Sequence, residues 1–163
     1  MTLDEEYMTQ ALERARRAAE LGEIPVGAIV VDPDGNIIGE GWNLREHLQS
    51  PTAHAEILAI EQAAKRLGSW RLTGCTLYVT LEPCPMCAGA ILNAQIPRVV
   101  WAAPAPKTGA AGSLVDLLHL SGCFQPEVTS GVLGGECAAL LTEFFRALRS
   151  SRAEAKEGII DAL

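Results

Sequence analysis

The chain has 163 residues, of which 48% are hydrophobic and 20% charged; this is the composition of a folded domain and excludes a disordered chain. No apolar run reaches the length of a membrane span, and the N-terminal segment MTLDEEYM is too acidic for a secretory signal, so we expect a cytoplasmic protein without a membrane segment. The net charge of −7 argues against a nucleic-acid partner, but it describes the whole surface, whereas binding depends on a local patch.

Hydrophobic periodicity predicts helices and strands in alternation after an opening hairpin. The predicted helices cover residues 4–21, 54–67, about 85–93, 113–119 and 132–149. The predicted strands are the hairpin runs 26–31 and 36–41, which flank an Asp-Pro-Asp-Gly turn, and the later runs 76–81 and 98–101. We therefore expect residues 1–163 to form one domain, a three-layer α/β/α sandwich with a mixed sheet.

Two short motifs open the second and third predicted helices. The first is His54-Ala-Glu56, and the second is Pro83-Cys84-Pro-Met-Cys87. Two cysteines at a helix N-terminus can reach one metal ion, and the helix dipole there favours the thiolate that binds zinc. One imidazole and two thiolates leave the fourth tetrahedral position to water, which is typical of a catalytic zinc. Glu56 is not needed as a ligand and is placed to take a proton from that water and return it elsewhere.

Other interpretations of the Cys-x-x-Cys pair explain less. Alone, such a pair indicates a redox site or half of a structural zinc site equally well, but redox chemistry does not account for His54 or Glu56. A structural zinc needs a fourth ligand, and the remaining cysteines have no paired spacing: Cys75, Cys123 and Cys137. Five cysteines are an odd number in a chain without an export signal, which disfavours a disulfide framework.

The combined pattern H-x-E…P-C-x-x-C is a known signature of zinc-dependent nucleobase deaminases. Beyond it, the chain resembles the bacterial tRNA-specific adenosine deaminases, which convert the wobble adenosine to inosine. Segments similar to that family occur over nearly the whole chain, at residues 25–28, 39–43, 51–57, 76–84, 86–90, 107–113, 136–141 and 144–146.

This resemblance implies a cytidine-deaminase-like fold with a mixed five-stranded sheet, a homodimer, and the tRNA anticodon loop as partner. It also implies the site residues: one zinc per subunit on His54, Cys84 and Cys87, proton transfer by Glu56, and base binding by Asn43 beside the backbone of Ala53. An amide side chain offers a donor and an acceptor to a base edge. Without the resemblance, a turn residue after the strand is the favoured interpretation of Asn43.

Candidate RNA contacts lie in two places. Lys107 begins a glycine-rich segment, residues 107–113, which is not a P-loop because Lys-Thr precedes the glycine. Four basic residues recur at spacings of three, three and four, which gathers them on one helical stripe: Arg146, Arg149, Arg152 and Lys156. A solvated helix face with glutamate neighbours is the alternative for that stripe. Residues 104–106 and 123–126 depart from the family pattern in segments that bear on recognition of the anticodon loop.

Two other functions stay open on the sequence. The first is deamination of a free nucleobase or nucleoside of guanine, cytosine or adenosine type, which the acidity and the two departures favour and the family match of residues 107–113 opposes. The second is a non-catalytic RNA-binding partner subunit, which the presence of Glu56 opposes. The small apolar residues 88–92 suit close packing, either in the core or across a subunit interface. His47, His119, Cys75 and Cys137 are interpreted as structural or incidental.

Overall fold

The computed structural model describes residues 1–161 and contains a five-stranded sheet with helices on both faces. The helices are α1 (Leu3–Glu20), α2 (Arg45–Leu48), α3 (Ala55–Leu67), α4 (Pro85–Ala94) and α5 (Gly134–Asp161). The strands are β1 (Gly27–Val31), β2 (Ile37–Trp42), β3 (Thr76–Leu81), β4 (Arg98–Ala103) and β5 (Glu127–Ser130). In this part of the chain, no helix combines the length and apolar character needed to cross a membrane.

The sheet has the strand order β2-β1-β3-β4-β5 and is mixed. Strand β1 is antiparallel to both β2 and β3, whereas β3, β4 and β5 are parallel to one another. The hairpin turn is stabilised by Asp32, whose side chain accepts hydrogen bonds from the backbone N–H groups of Asp34 and Asn36 at 3.0 and 2.8 Å. The mixed five-stranded sheet expected from the sequence is thus confirmed.

Helices cover the two faces of the sheet over separate hydrophobic clusters. On one face α1 and α5 pack against alternate sheet residues such as Ile29, Tyr78 and Val100. On the other face α3 and α4 pack against the intervening residues, among them Val30 and Val79. Because side chains alternate across a strand, successive buried residues of β1 and β3 serve both layers. The three-layer sandwich is therefore confirmed.

The contact between α3 and β2 brings the start of α3 against the sheet. A Cβ atom at Gly41 would lie 2.3 Å from the carbonyl oxygen of Ala55, so only glycine allows this approach. The helix presents Ala55, Ala59 and Ala63 to the strand, and all three are fully buried. Backbone therefore packs almost directly on backbone at the helix end that carries His54.

Four elements differ from the sequence-based expectation, and one of them is strand β5, which was not among the predicted strands. The predicted helix over 113–119 is wrong: these residues form turns with an isolated bridge between Ala111 and Asp116. The backbone N–H groups of Ser113 and Leu118 donate to the carboxylates of Glu82 and Asp116, so they are unavailable to a helix. Helix α5 continues to Asp161, well beyond the predicted end at 149, and the short helix α2 was not predicted.

Candidate active site

The sequence motifs lie at the N-termini of α3 and α4. His54 is the N-cap residue of α3, and Cys84 is the N-cap residue of α4; neither end has a side-chain capping hydrogen bond. Pro85 occupies the first turn of α4, where its missing N–H costs no hydrogen bond. Strand β3 ends at Leu81, so Cys84 follows the carboxyl end of a parallel strand, the edge at which α/β sheets bind ligands.

The three predicted metal ligands form one cluster. The Nδ1 atom of His54 lies 3.7 Å from Sγ of Cys84 and 3.6 Å from Sγ of Cys87, and all three ligand atoms lie within 4.8 Å of one another. Tetrahedral zinc bonds of about 2.1 Å to nitrogen and 2.3 Å to sulfur would put those atoms about 3.6 Å apart. A single ring N–H could donate to only one sulfur, whereas one cation satisfies all three atoms. The donor set therefore fits a zinc ion.

Cys84 and Cys87 shift each other's pKa values in opposite directions. A hydrogen bond from Cys87 lowers the pKa of Cys84 to about 4, and the contact with His54 acts in the same direction, which favours the thiolate form of Cys84. The same hydrogen bond to Cys84, together with burial, raises the pKa of Cys87. A divalent cation has the charge to displace the thiol proton of Cys87 and bind both sulfurs as thiolates.

Glu56 is a buried carboxylic acid beside the cluster. It is the second residue of α3, it lies at the same cavity as His54 and Cys84, and only 4% of it is exposed. Burial raises the pKa of its carboxyl group to about 6. A carboxyl group that titrates near neutral pH can accept a proton and give it up again, which a general acid–base catalyst requires.

The cavity at this site has a volume of about 450 Å³ and suits a planar base with a few polar contacts. Its apolar walls are Ile24, Val26, Ala55, Leu81, Leu141 and Phe145. Its polar residues are Asn43, Arg45, His54, Glu56, Glu82, Cys84 and Thr108. A second, more open groove of about 770 Å³ lies between α1 and the hairpin turn and contains none of the clustered groups.

Asn43 lies in the cavity wall and is held at both ends of its amide. Its Nδ2 donates to the carbonyl oxygen of Ile24 at 3.2 Å, and its Oδ1 accepts from the backbone N–H of Arg45 at 3.1 Å. Each end keeps one further hydrogen-bonding position. Ala53 is buried beside His54, and its carbonyl oxygen accepts from the Leu44 N–H at 3.1 Å. Asn43 thus anchors a turn and faces the cavity; its base-binding role stays a prediction.

The candidate RNA contacts lie on two segments that also contribute residues to the cavity lining. Lys107 is exposed, and its neighbour Thr108 is the residue of that segment that lines the cavity. All four members of the basic stripe are exposed on α5: Arg146, Arg149, Arg152 and Lys156. Arg149, Arg152 and Lys156 follow the cavity-lining residues Leu141 and Phe145 at helical spacings, so they continue the same face of α5. Their contacts with RNA stay predictions.

Sequence reasoning missed several residues that shape the cavity. Leu141 and Phe145 were recognised only as apolar helix positions, and their approach to the site depends on how α5 packs. Glu23 is buried, and its carboxylate accepts the N–H groups of Glu46 and His47 at 3.1 Å, which holds α2 and the rim residue Arg45. The signal for Glu23 was an acid directly before the apolar run that leads into β1. Glu82 is also buried, and its signal in the sequence was an acid directly after the apolar run of β3 and before a proline.

Comparison with known proteins agrees with this geometry. The chain is 49% identical over 160 residues to the tRNA-specific adenosine deaminase of Bacillus subtilis (strain 168), which covers 98% of this chain and 99% of that protein. It also superimposes on a structure from a study of A-to-I editing by tRNA:A34 deaminases at the wobble position of transfer RNA. That superposition has a TM-score of 0.79 and 44% sequence identity, and it covers 83% of this chain and 98% of the other. A guanine deaminase from Nitrosomonas europaea gives a TM-score of 0.78 at 27% identity, covering 88% and 85% of the two chains.

A family model places the cluster within a defined enzyme family. Residues 1–103 match the cytidine and deoxycytidylate deaminase zinc-binding region. That range contains the clustered histidine and both cysteines, together with Glu56. The chain therefore belongs to the cytidine and deoxycytidylate deaminase family of zinc-dependent enzymes.

Proposed function

We propose that this protein, as a single deaminase domain, hydrolyses adenosine to inosine and ammonia at the wobble position of tRNA. The observation that carries the proposal is the 49% identity, over 98% of the chain, to a relative named tRNA-specific adenosine deaminase. The departures at residues 104–106 and 123–126 lie within a chain that is otherwise similar from end to end. The geometry supports the same reaction because a metal-ligand cluster, a buried carboxyl group and an amide meet at one base-sized cavity.

The cavity residues divide the chemistry among them. His54, Cys84 and Cys87 would hold one zinc ion per chain, which supplies the Lewis acidity that makes water a nucleophile at neutral pH. The Glu56 carboxylate would take one proton from the attacking water and pass it to the ring nitrogen beside C6 of adenine. It would then take the second proton from the oxygen now bonded to C6 and pass it to the amine, so that the C6–N bond breaks and ammonia leaves as the C6 carbonyl of inosine forms. Asn43, beside the backbone of Ala53, would hold the base edge through its free amide positions.

The face of α5 next to the cavity suits a nucleic acid more than a free base. A base in an anticodon loop is already partly unstacked, so moving it into the cavity costs only a few kcal/mol. Arg149, Arg152 and Lys156 continue the cavity-lining face of α5 and would offset this cost through contacts with phosphates, with Arg146 and Lys107 nearby. The local stripe answers the objection raised by the overall charge of −7.

One rival function has a specific observation in its favour. The guanine deaminase from Nitrosomonas europaea superimposes on this chain nearly as well as the tRNA:A34 deaminase structure does, with TM-scores of 0.78 and 0.79. The lower sequence identity, 27% against 44%, disfavours a free base as substrate. A purely RNA-binding partner subunit is also disfavoured, because such a subunit has no use for a carboxyl group buried beside a metal cluster.

The protein is further proposed to act as a homodimer in the cytoplasm, where its tRNA substrate would be met. Helix α4 buries Ala88 and Ile91 in the core but leaves Ala90 and Leu92 partly accessible. Leu114 and Val115 are neighbours in the chain and are 63% and 41% exposed, which gives an apolar patch that a second copy of the chain would cover. Light scattering at micromolar concentration should give twice the mass of one chain; a monomer would contradict the proposal.

A substrate panel tests the function directly. Zinc-loaded protein is incubated with an anticodon stem-loop that carries adenine at the wobble position, and inosine and ammonia are measured. The matched control is the same hairpin with guanine at that position, and free adenosine, guanine and cytosine complete the panel. We expect turnover of the adenine hairpin alone. Efficient turnover of a free base with no inosine from the hairpin would refute the substrate but not the deaminase chemistry.

A further inference from the structure

Glu82 is a buried carboxylate that the proposed reaction does not use. It follows the last residue of β3, is 2% exposed and borders the cavity. Its Oε1 accepts hydrogen bonds from the Ala105 N–H at 3.2 Å and from the Ser113 hydroxyl. Its Oε2 accepts from the N–H groups of Ala111 and Ser113, both at 3.0 Å. Within residues 1–161, no basic side chain pairs with this carboxylate.

All four donors come from one loop, residues 105–113. This loop has no regular secondary structure. Its other backbone hydrogen bonds are mostly local, such as the one from the Gly109 N–H to the carbonyl oxygen of Ala105 at 2.7 Å. One joins the loop to the segment before α4: the Ala110 N–H donates to the carbonyl oxygen of Pro83 at 2.8 Å. A Cβ atom at Gly109 would lie 2.3 Å from the Glu82 carboxyl group. The loop therefore wraps around the carboxylate and contacts it on several sides.

The hydrogen bonds of Glu82 exclude a direct chemical role. An ionised carboxylate has about four acceptor positions, and four donors of the loop take them. None remains for a substrate proton or a base edge. The bonds determine the course of the loop, which puts Thr108 in the cavity wall and leaves the preceding residue, Lys107, exposed to solvent.

We infer that Glu82 is a positioning residue: its carboxylate holds the 105–113 loop as a preformed wall for the nucleotides that flank the target base. The inference rests on the proposed function, because it takes the occupant of that wall to be RNA. A preformed wall removes the cost of ordering the loop when substrate binds, so it acts on affinity and not on the chemical step. Loss of Glu82 should therefore change KM and leave kcat nearly unchanged.

The first experiment measures the loop itself and needs no substrate. In Glu82→Gln the amide group keeps the size of the side chain, but its NH2 end faces donors of the loop. We expect trypsin to cleave after Lys107 at least about ten times faster than in the wild type, the effect of one lost charge-assisted hydrogen bond. Amide exchange at Ala111 and Ser113 should rise in parallel. Asp116→Asn is the matched control. The Asp116 side chain also accepts a hydrogen bond from a backbone N–H just beyond this loop, that of Leu118, but it makes no hydrogen bond with Glu82.

The second experiment tests the effect on substrate. With the adenine hairpin, Glu82→Gln should raise KM about tenfold while kcat stays within about threefold and zinc content stays at one per chain. A fall of kcat by a factor of one hundred at saturating hairpin would overturn the inference, because it would indicate a part in the chemistry. Faster cleavage after Lys107 with an unchanged KM would also overturn it, because the loop would then not be a substrate wall.

A variant with a smaller change guards against loss of folding. Ser113→Ala removes only the hydroxyl contact and leaves the carboxylate and the backbone bonds in place. We expect it to raise both the cleavage rate and KM in the same direction as Glu82→Gln, by a smaller factor; no change in either would contradict the inference. If the wild-type protein does not act on the hairpin, the proposed function fails, whereas the protease comparison still decides whether Glu82 holds the loop.

Discussion

Charge reversal at Arg149 and Arg152 should weaken RNA binding without affecting the chemistry. Both side chains are exposed and continue the face of α5 whose residue Phe145 lines the cavity. At about 1.5 Å of rise per residue, they lie about 6 and 10 Å beyond Phe145 along the helix axis. A strand whose base enters the cavity would pass within reach of both.

The size of the effect follows from the number of contacts. An exposed arginine–phosphate contact contributes about 1 kcal/mol, so losing two should raise Kd for the hairpin about 30-fold. Each contact to a single-stranded phosphate also adds about 0.7 to the salt dependence of log K, so the slope should become shallower by about 1.4. Anisotropy titrations of a labelled hairpin between 50 and 200 mM salt, about the range over which such dependence is seen, would measure both quantities.

The matched control is Lys65→Glu with Arg66→Glu, which makes the same change in net charge at the far end of α3. Lys65 lies ten residues from Ala55, about 15 Å along the helix from the metal-binding end, which exceeds the Debye length of about 8 Å at physiological salt. This control should bind the hairpin almost as well as the wild type. Equal weakening in both double variants would refute the stripe, because the effect would then be one of net charge alone.

Three further outcomes are expected. Glu56→Gln should retain one zinc per chain and a native unfolding curve, but its turnover should fall by about 10²–10⁴-fold because the amide cannot accept a proton. Metal analysis and inosine formation measure these quantities. A variant that keeps most of its activity would refute the proton-transfer role. Cys87→Ser should retain less than half of the zinc of the wild type, because a hydroxyl group is a poor zinc ligand, and full retention would remove Cys87 from the ligand set. Asp4 accepts two hydrogen bonds from Arg98, at 2.8 and 2.7 Å, and one from Tyr78, and the Arg98 contact holds the pKa of Asp4 below its usual value. Asp4→Asn should therefore lower the free energy of unfolding by about 1–2 kcal/mol at neutral pH. The difference should begin to shrink as pH falls below the ordinary aspartate pKa of about 4, and it should vanish only below the lowered pKa of the folded state, where the native carboxylate is protonated. Urea titrations over this pH range test this, and a pH-independent difference would contradict it.

Local signals in the sequence were sufficient to predict the elements that carry the metal cluster. The starts of α3 and α4 coincide with the two motifs. Both helices end at a residue in the left-handed conformation, Gly68 for α3 and Gln95 for α4, and only the glycine is recognisable from the sequence. The hairpin followed from the Pro-Asp-Gly turn between two apolar runs. In each case neighbouring residues determine the local conformation, and pattern reasoning succeeds for that reason.

Features that depend on distant partners were not predictable in this way. The segment 113–119 has apolar residues at helical spacing, but Glu82, some thirty residues earlier, accepts hydrogen bonds from the backbone N–H and the hydroxyl group of Ser113 at its start. Helix α2 has only four residues, too short to be stable alone, and Glu23 holds its N-terminus from 23 residues away. The end of α5 was placed too early because residues after 149 lack an apolar stripe, although their helix propensity is high.

The separation of the ligands along the chain has a consequence for folding. His54 and Cys84 are 30 residues apart, so an ion bound to both closes the intervening segment, with α3 and β3, into a loop. In the chain-entropy description of cross-links, closing such a loop in the unfolded chain is worth roughly 3–4 kcal/mol of stability. The free energy of unfolding of most domains is only about 5–15 kcal/mol, so this contribution is a large part of it. A substitution or chelator that removes zinc therefore has two effects on the enzyme: it stops turnover, and it removes a constraint that opposes unfolding. The cellular level of the protein should consequently fall along with its activity.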